Sequence, residues 1–379
     1  MMIFFPSKHT TVMTLTVMVF GLSYGVTAPL IAIALVADGY SDFYIGLNAA
    51  MHAIGVFAVA PLLPVMCRRF SPKQLLLVSL GATVLVLMLF PVLPLVSWFV
   101  LRLALGVFSE VVLVVAESWL NHFTVEEARA RTMALYVTSL SLGFALGPLI
   151  LSWVEHASEQ AFVIASLITL TAAVLVAALT SSSRPIAVDN SPSLKRYWQL
   201  MTLALAATAL NGALESAGMN LLVIYAMKLG WLKQQATWLL SILLLGAIVL
   251  QLPIGWIADR MDRQRLIAVL AVLSTLGALA WPWALDESWL AYGLLFVWGG
   301  VFVGIYTVVI TVIGDRYRGG DLVGAYCALS VAWAVGALLG PALGGAAMSY
   351  AIHGLAGLAA VLCGLFTLFA MYNSRRYHR

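Results

Sequence analysis

Long, mostly apolar stretches recur along the whole of this 379-residue chain, separated by short polar breaks. A helix that crosses a bilayer needs about 20 mostly apolar residues. Twelve such stretches can be placed, near 11–35, 44–66, 74–94, 97–120, 132–153, 161–180, 199–226, 236–257, 266–284, 289–313, 323–348 and 354–373. A transmembrane barrel would need strands of about 10 residues that alternate polar and apolar, whereas the run from Leu75 to Leu89 is apolar on every side. Helices are therefore expected. Hydrophobic residues make up 63% of the chain and charged ones 9%, against about 25% charged in a soluble domain. That balance excludes disorder, a collagen-like fold and a nucleic-acid-binding surface, and a net charge of +4 is no footprint for a polyanion. The first stretch is too long, and too rich in Tyr, Gly and Pro, to be a cleaved leader, and no small-residue cleavage site follows it. Cys67, Cys327 and Cys363 lie far apart, which argues for packing roles over a disulfide framework or a cysteine metal site.

Lysine and arginine fix the expected orientation. With the N-terminus in the cytoplasm, the inner segments hold Lys8, Arg68, Arg69, Lys73, Arg129, Arg131, Arg184, Lys195, Arg196, Arg260, Arg263, Arg265, Arg316, Arg318, Arg375, Arg376 and Arg379, 17 of the 20 cations. Only Lys228 and Lys233 fall outside, and Arg102 lies within a span. This asymmetry matches the excess of cations that marks cytoplasmic loops. An odd number of helices would scramble it, so an even count with both termini inside is expected.

The longest break, 181–198, is rich in Ser and Pro and carries three basic residues. It reads as a cytoplasmic linker joining an N-terminal six-helix bundle, 1–180, to a C-terminal one, 199–379. The two parts resemble each other. A shift of 191 places Gly21 on Gly212, Gly39 on Gly230 and Arg69 on Arg260; a shift of 193 places Gly106 on Gly299, Gly143 on Gly336 and Gly147-Pro148 on Gly340-Pro341. Internal repeats of this kind mark transporters built from two related bundles, with the binding site near the bilayer midplane. The expected fold is an all-α integral membrane protein of twelve transmembrane helices in two pseudo-symmetric six-helix bundles.

After the eighth stretch the chain reads Gly255-Trp-Ile-Ala-Asp259-Arg260-Met-Asp262-Arg263-Gln-Arg265. This G-x-x-x-D-R-x-x-R run resembles the signature loop of the major facilitator superfamily, which joins the second and third helices of each half. A carboxylate among guanidiniums accepts charge-assisted hydrogen bonds and can sit at a neighbouring helix N-terminus, so Asp259, Arg260 and Arg263 are candidate gating residues. The first-half loop, Pro64-Val-Met-Cys67-Arg68-Arg69-Phe-Ser-Pro-Lys73, has Pro in place of the Gly and Arg in place of the Asp. The stronger latch is thus expected in the second half, with Arg69 as its first-half counterpart. Gly143-x-x-x-Gly147-Pro148 and Gly336-x-x-x-Gly340-Pro341-Ala-Leu-Gly344-Gly345 suit close helix packing. In the superfamily a G-P-x-x-G-G ending in the fifth span accompanies antiport; here it stands in the eleventh, while the fifth continues Leu149-Ile150-Leu151.

A charged side chain at the bilayer centre costs at least about 2.5–3.5 kcal/mol on insertion scales, so an intramembrane charge is a functional candidate. Four occur: Arg102, Glu110, Glu117 and Glu215. At roughly 100° per residue the first three share one sector of the fourth span. Arg102-x-x-x-Gly106 resembles the fourth-helix motif of the superfamily, with Leu105 in place of a polar residue. Arg102 and Glu110 stand roughly 12 Å apart along the axis and cannot pair. Glu110, nearest mid-span, is the first candidate proton carrier, with Glu215 and His52 beside it as alternatives. Glu117 heads Glu117-Ser118-Trp119 near the cytoplasmic end and suits a structural or gating ion pair. The run from Arg102 through Val114-Val115-Ala116-Glu117-Ser118 also looks like a bacterial subgroup of the superfamily grouped near drug exporters. In superfamily members the first, fourth, seventh and tenth spans line the central cavity. That resemblance implies that Tyr24, Glu110, Glu215 and Tyr306 face it. Asn211 shares a face with Glu215, and Asn48 with His52. Tyr24, Asn48, Arg102, Asn211 and Tyr306 are therefore candidate substrate contacts.

The resemblance implies a secondary transporter in a bacterial inner membrane. Two buried carboxylates against one buried cation favour proton-coupled export of a small amphipathic or cationic solute; proton-coupled uptake is the alternative. No G-x-x-x-x-G-K-[ST] loop is present to hold nucleotide phosphates. The six histidines are scattered, with no H-E-x-x-H, so neither a metal nor another cofactor is expected, nor is enzymatic chemistry. The expected partners are the solute, protons and the bilayer, without nucleic acid, and the chain is expected to act as a monomer. A receptor or scaffold that keeps the fold without transport is the rival from another class.

Overall fold

The computed structural model describes residues 8–123, 126–154, 159–179, 201–258, 260–316 and 320–377, and every regular element among them is a helix. In chain order these are α1 (Lys8–Ala37), α2 (Asp42–Val59), α3 (Leu63–Arg69), α4 (Pro72–Leu89), α5 (Trp98–Phe123), α6 (Glu126–Ser152) and α7 (Glu159–Leu179). There follow α8 (Thr202–Lys228), α9 (Lys233–Val249), α10 (Gln251–Ala258), α11 (Arg263–Ala284), α12 (Ser288–Arg316), α13 (Gly320–Tyr350) and α14 (Gly354–Tyr377). The expected linker, 181–198, lies outside the described residues.

Among the described residues, eleven helical segments are long and apolar enough to cross a membrane. The seventh expected span, 199–226, forms the 27-residue α8 and is not among them, because Asn211, Glu215, Ser216 and Asn220 dilute its apolar content. Large apolar side chains such as Val78, Leu85, Leu252 and Leu368 are at least 67% exposed, as lipid-facing residues must be. Trp153, Trp283, Trp289 and Tyr350 are exposed at or beside helix ends, where amphipathic rings favour the membrane interface.

Two expected spans are interrupted. The stretch 44–66 divides into α2, a 3-10 turn at Ala60–Leu62 and α3; 236–257 divides into α9 and α10 at Leu250. Hydropathy runs unbroken across both places, but Pro61, Pro64 and Pro253 lack the N–H that a continuous helix needs. In hydrocarbon a freed carbonyl requires another partner. Beside the second break the Gln251 amide donates to the carbonyls of Ala247 (2.7 Å) and Gly300 (3.3 Å) while accepting from the Thr307 hydroxyl at 2.5 Å, and so ties the break to α12.

By packing, the chain divides into two compact units: Met1–Ala34 with Met51–Asp189, and Leu35–Ala50 with Asn190–Arg379. The end of α1 and the start of α2 thus belong with the later helices. Within each unit the sequence offsets reappear as contacts. A Cβ on Gly106 would lie 2.0 Å from the His52 carbonyl oxygen, and one on Gly299 2.2 Å from that of Leu243. Gly106 and Gly299 differ by 193, His52 and Leu243 by 191. The same offsets relate Gly55 against Leu103 to Gly246 against Phe296, Gly143 against Met18 to Gly336 against Ala209, and Gly21 against Leu140 to Gly212 against Trp333. Each is a backbone-to-backbone helix crossing that only a residue without a side chain permits.

Helix ends repeat too. Gly39 (φ 79°) and Gly230 (φ 92°), 191 apart, take the left-handed conformation after α1 and α8. At each, the glycine N–H bonds three residues back and the next N–H five residues back, Tyr40 to Leu35 and Trp231 to Ala226, which closes a Schellman cap. Ser71 and Asp262, also 191 apart, are the N-caps of α4 and α11.

Candidate functional site

In the first unit the polar side chains gather where α2 crosses α5. The Gly106 crossing draws His52 against α5, and its Nε2 lies 3.3 Å from the Ser109 hydroxyl, which in turn donates to the Gly106 carbonyl at 3.0 Å. Tyr24 of α1 packs on the His52 ring at a centroid distance of 5.0 Å and on Phe144 of α6 at 5.5 Å. His52 Nδ1 is buried with no hydrogen-bond partner among the described residues. Arg102 is 1% exposed on the same helix as Ser109. A guanidinium so deeply held in a membrane protein is not a positive-inside residue that strayed; it belongs to the interior.

Two turns along α5, Glu110 is half-buried. Among the described residues no hydrogen bond or ion pair reaches its carboxylate. Glu117 differs from the expected polar face: it is exposed. The helix explains this, because Glu117 lies 19 residues from Trp98, roughly 29 Å along the axis, close to the thickness of the hydrocarbon core. It lies three residues before the end of the membrane-length segment Leu95–Leu120. No ion pair of Glu117 occurs among the described residues.

In the second unit, α8 and α13 meet at the Gly212–Trp333 crossing. Asn211 Nδ2 and the indole Nε1 of Trp333 both donate to Glu215 Oε2, each at 3.2 Å. Asn211 is 5% exposed, and its Oδ1 is buried without a donor. Trp333 was not among the sequence candidates. A tryptophan in an apolar span reads as packing, and only the offset comparison, which sets it against Leu140, marks it. An apolar cleft of about 320 Å³ lies on the other face of α8, between it and α13 and α14, lined by residues such as Leu210, Ala213, Gly336, Leu339 and Phe366. No titratable group lines it. Tyr306 is half-buried on α12, next to the Thr307 that bonds Gln251.

Asn48 is 1% exposed, with its Nδ2 lacking a partner among the described residues. It lies in the part of α2 that packs with the second unit. There the ammonium of Lys228 donates to Asp42, an ion pair at the ends of α8 and α2. The Phe43 N–H donates to the Ser349 hydroxyl at 3.2 Å. Gly46 and Gly345 bring α2 and α13 into backbone contact beneath the pair, each against a carbonyl of the other helix at 2.2 Å from its Cβ position. Sequence held a signal for this pair: Lys228 is one of two expected outer cations, and Asp42 an acid in the preceding outer loop.

Of the gating candidates, Asp259 lies outside the described residues. Arg260 is exposed beyond the end of α10 and folds back on that helix, its guanidinium 3.6 Å from the Trp256 ring centroid and 3.1 Å from the Trp256 carbonyl oxygen. Arg263 opens α11 behind its cap, where Asp262 Oδ1 accepts the Arg265 N–H at 2.9 Å. Arg69 is exposed at the end of α3. Among the described residues no group of histidine, cysteine and acidic side chains could hold a metal ion.

A family model described as Major Facilitator Superfamily matches residues 13–214 and 200–379. The MFS-type transporter YfkF of Bacillus subtilis is 27% identical over 348 residues, 89% of this chain and 88% of that protein. The MFS-type transporter YcaD of Escherichia coli is 26% identical over 250 residues, 65% of this chain and 64% of that protein. Among solved structures, the nucleoside transporter NupG superposes with a TM-score of 0.78 at 13% identity, covering 98% of each chain. A D-xylose-proton symporter superposes at 0.78 and 12%, covering 96% of each. At such identities the structural likeness speaks for the twelve-helix fold.

Proposed function

Since the chain belongs to the major facilitator superfamily and is therefore a membrane transporter rather than an enzyme, we propose that it exports a small organic solute in exchange for protons, by alternating access. The carrying observation is Glu110: a half-buried carboxylate, mid-helix in a segment long enough to span the membrane, without an ion-pair partner among the described residues. Such a group is charged in one step of a cycle and neutral in another, which is what proton exchange requires. His52, Tyr24 and Arg102 lie in the same unit and bias the release of its proton.

In this reading the chain comprises two related halves, 1–180 and 199–379, joined by a cytoplasmic linker at 181–198. It sits as a monomer in a bacterial inner membrane with both termini inside. Arg69, Glu117, Asp259, Arg260 and Arg263 are gating residues, and Asp42 with Lys228 braces the outer ends of α2 and α8. Tyr24, Asn48, Asn211 and Tyr306 contact the solute.

The test is flux in proteoliposomes with and without an imposed pH gradient, across a panel of small organic cations and neutral compounds. Proton-driven movement out of the cytoplasm-equivalent side supports the proposal. The proton symporter among the structural neighbours favours uptake as a second reading, and proton-driven movement in the opposite direction would establish it. Absence of any pH-driven flux, with facilitated movement intact, removes proton coupling from the account.

A further inference from the structure

The Glu215 cluster has an unbalanced set of hydrogen-bonding groups. Both available donors, Asn211 Nδ2 and Trp333 Nε1, go to a single carboxylate oxygen, Oε2. Among the described residues Oε1 accepts nothing, and Asn211 Oδ1 is a buried acceptor without a donor. A buried acceptor left unmatched is costly; Asn211 Oδ1 is one such atom, and one turn along the same helix Glu215 Oε1 receives no hydrogen bond among the described residues. What the cluster lacks is a donor with positive charge.

Packing does not require these residues. The crossing of Gly212 on Trp333 has its counterpart in Gly21 on Leu140, and the offsets of 191 and 193 set Asn211, Glu215 and Trp333 on Phe20, Tyr24 and Leu140. The same helix contact therefore forms in the first unit from apolar and aromatic side chains. In the second unit the chain bears the cost of a carboxylate in a membrane-spanning helix, and the backbone contact gains nothing from it. Aromatic surface completes the arrangement. The Trp333 ring is half-buried beside the carboxylate it bonds, which suits the carbon framework of an organic cation and the charge itself.

We propose that Asn211, Glu215 and Trp333 form a subsite for an alkylammonium group, with Glu215 Oε1 and Asn211 Oδ1 accepting its N–H donors and the indole covering its carbon. The inference rests on the reading of the chain as an exporter of organic solutes and names the chemical class that this part of the site selects: primary or secondary amines in their charged form.

Isothermal titration of the purified full-length protein with methyl-, butyl- and phenethylammonium, each paired with the alcohol of the same shape, tests it. At least one ammonium in the series binds tenfold or more tightly than its alcohol, and the larger members bind better than methylammonium. In Glu215→Gln the preference for ammonium over alcohol disappears, whereas a merely structural role would lower the affinity for both alike. Trp333→Phe keeps the ring and loses the donor, lowering ammonium affinity several-fold. If no ammonium is preferred over its alcohol by the wild-type protein, or if Glu215→Gln retains the preference, the subsite is wrong. The wild-type series decides even where a variant does not fold. Proteoliposome flux separates the two readings: ammonium selectivity without pH-driven flux leaves the subsite standing and overturns proton coupling, whereas pH-driven flux with no ammonium selectivity does the reverse.

Discussion

At the scale of single residues, the cost of charge in hydrocarbon made the chemistry legible. Glu110 and Glu215 stand out of any apolar run in the sequence, and in the structure both are half-buried on long helices. Their surroundings were not legible, because a partner such as Trp333 arrives from a helix more than a hundred residues away and looks like any packing residue. Asp259 illustrates the converse: a motif singles it out, while it lies outside the described residues. Glu110 and Glu215 also differ in a way composition hides. Glu215 is held by two donors, Glu110 by none among the described residues. Glu110→Gln is therefore expected to fold normally and to exchange solute down its gradient, yet to lose accumulation driven by a pH gradient. Flux measured with and without the gradient checks this, and retained uphill transport would show that the proton travels by another group, with His52 the first to examine.

Among helices, the decisive quantity is how close two backbones come. The glycine pattern was readable as a repeat of spacings; which carbonyl each glycine meets was not, since that depends on crossing angle. Gly106→Ala would force its methyl against the His52 carbonyl, and the helices must part, at a cost of about 1–3 kcal/mol. Gly299→Ala against Leu243 behaves alike. Gly218, on α8 with nothing within 4 Å of its Cβ position, is the control: Gly218→Ala is neutral or stabilises by up to about 1 kcal/mol through helix propensity. Thermal unfolding of the three variants in detergent separates them, and a destabilised Gly218→Ala with an unaffected Gly106→Ala would refute the crossing account. Helix ends are weaker levers. Asp262→Ala removes the cap bond to Arg265 and costs about 1 kcal/mol. The ion pair at the ends of α2 and α8 holds three helices, since Gly46 and Ser349 tie α2 to α13 beside it. Asp42→Asn should speed labelling of a cysteine at position 43 by an impermeant maleimide, and Asp42→Asn with Lys228→Gln should be no faster than Asp42→Asn alone, as expected of coupled partners.

For the whole molecule, the distribution of cations makes the firmest statement about topology. With 17 of 20 on one side in the expected orientation, cysteines in 181–198 and at the C-terminus are expected to react only from the cytoplasm, and those in 155–160 only from outside; labelling of 181–198 from outside would overturn that orientation. The paired glycine crossings carry a consequence of another kind, concerning the order in which the protein is made. A chain leaves the ribosome N-terminus first, and α1 against α6 and α2 against α5 use residues no later than Ser152. Every residue those contacts need has been synthesised before anything from 199 onward exists. The start of α2 is the exception, because its partners, Lys228 and then Gly345 and Ser349, are synthesised only after residue 200. Nascent chains arrested shortly after residue 200 should therefore already protect the Gly106 crossing, while Asp42 stays open to the outside until the thirteenth helix has been inserted.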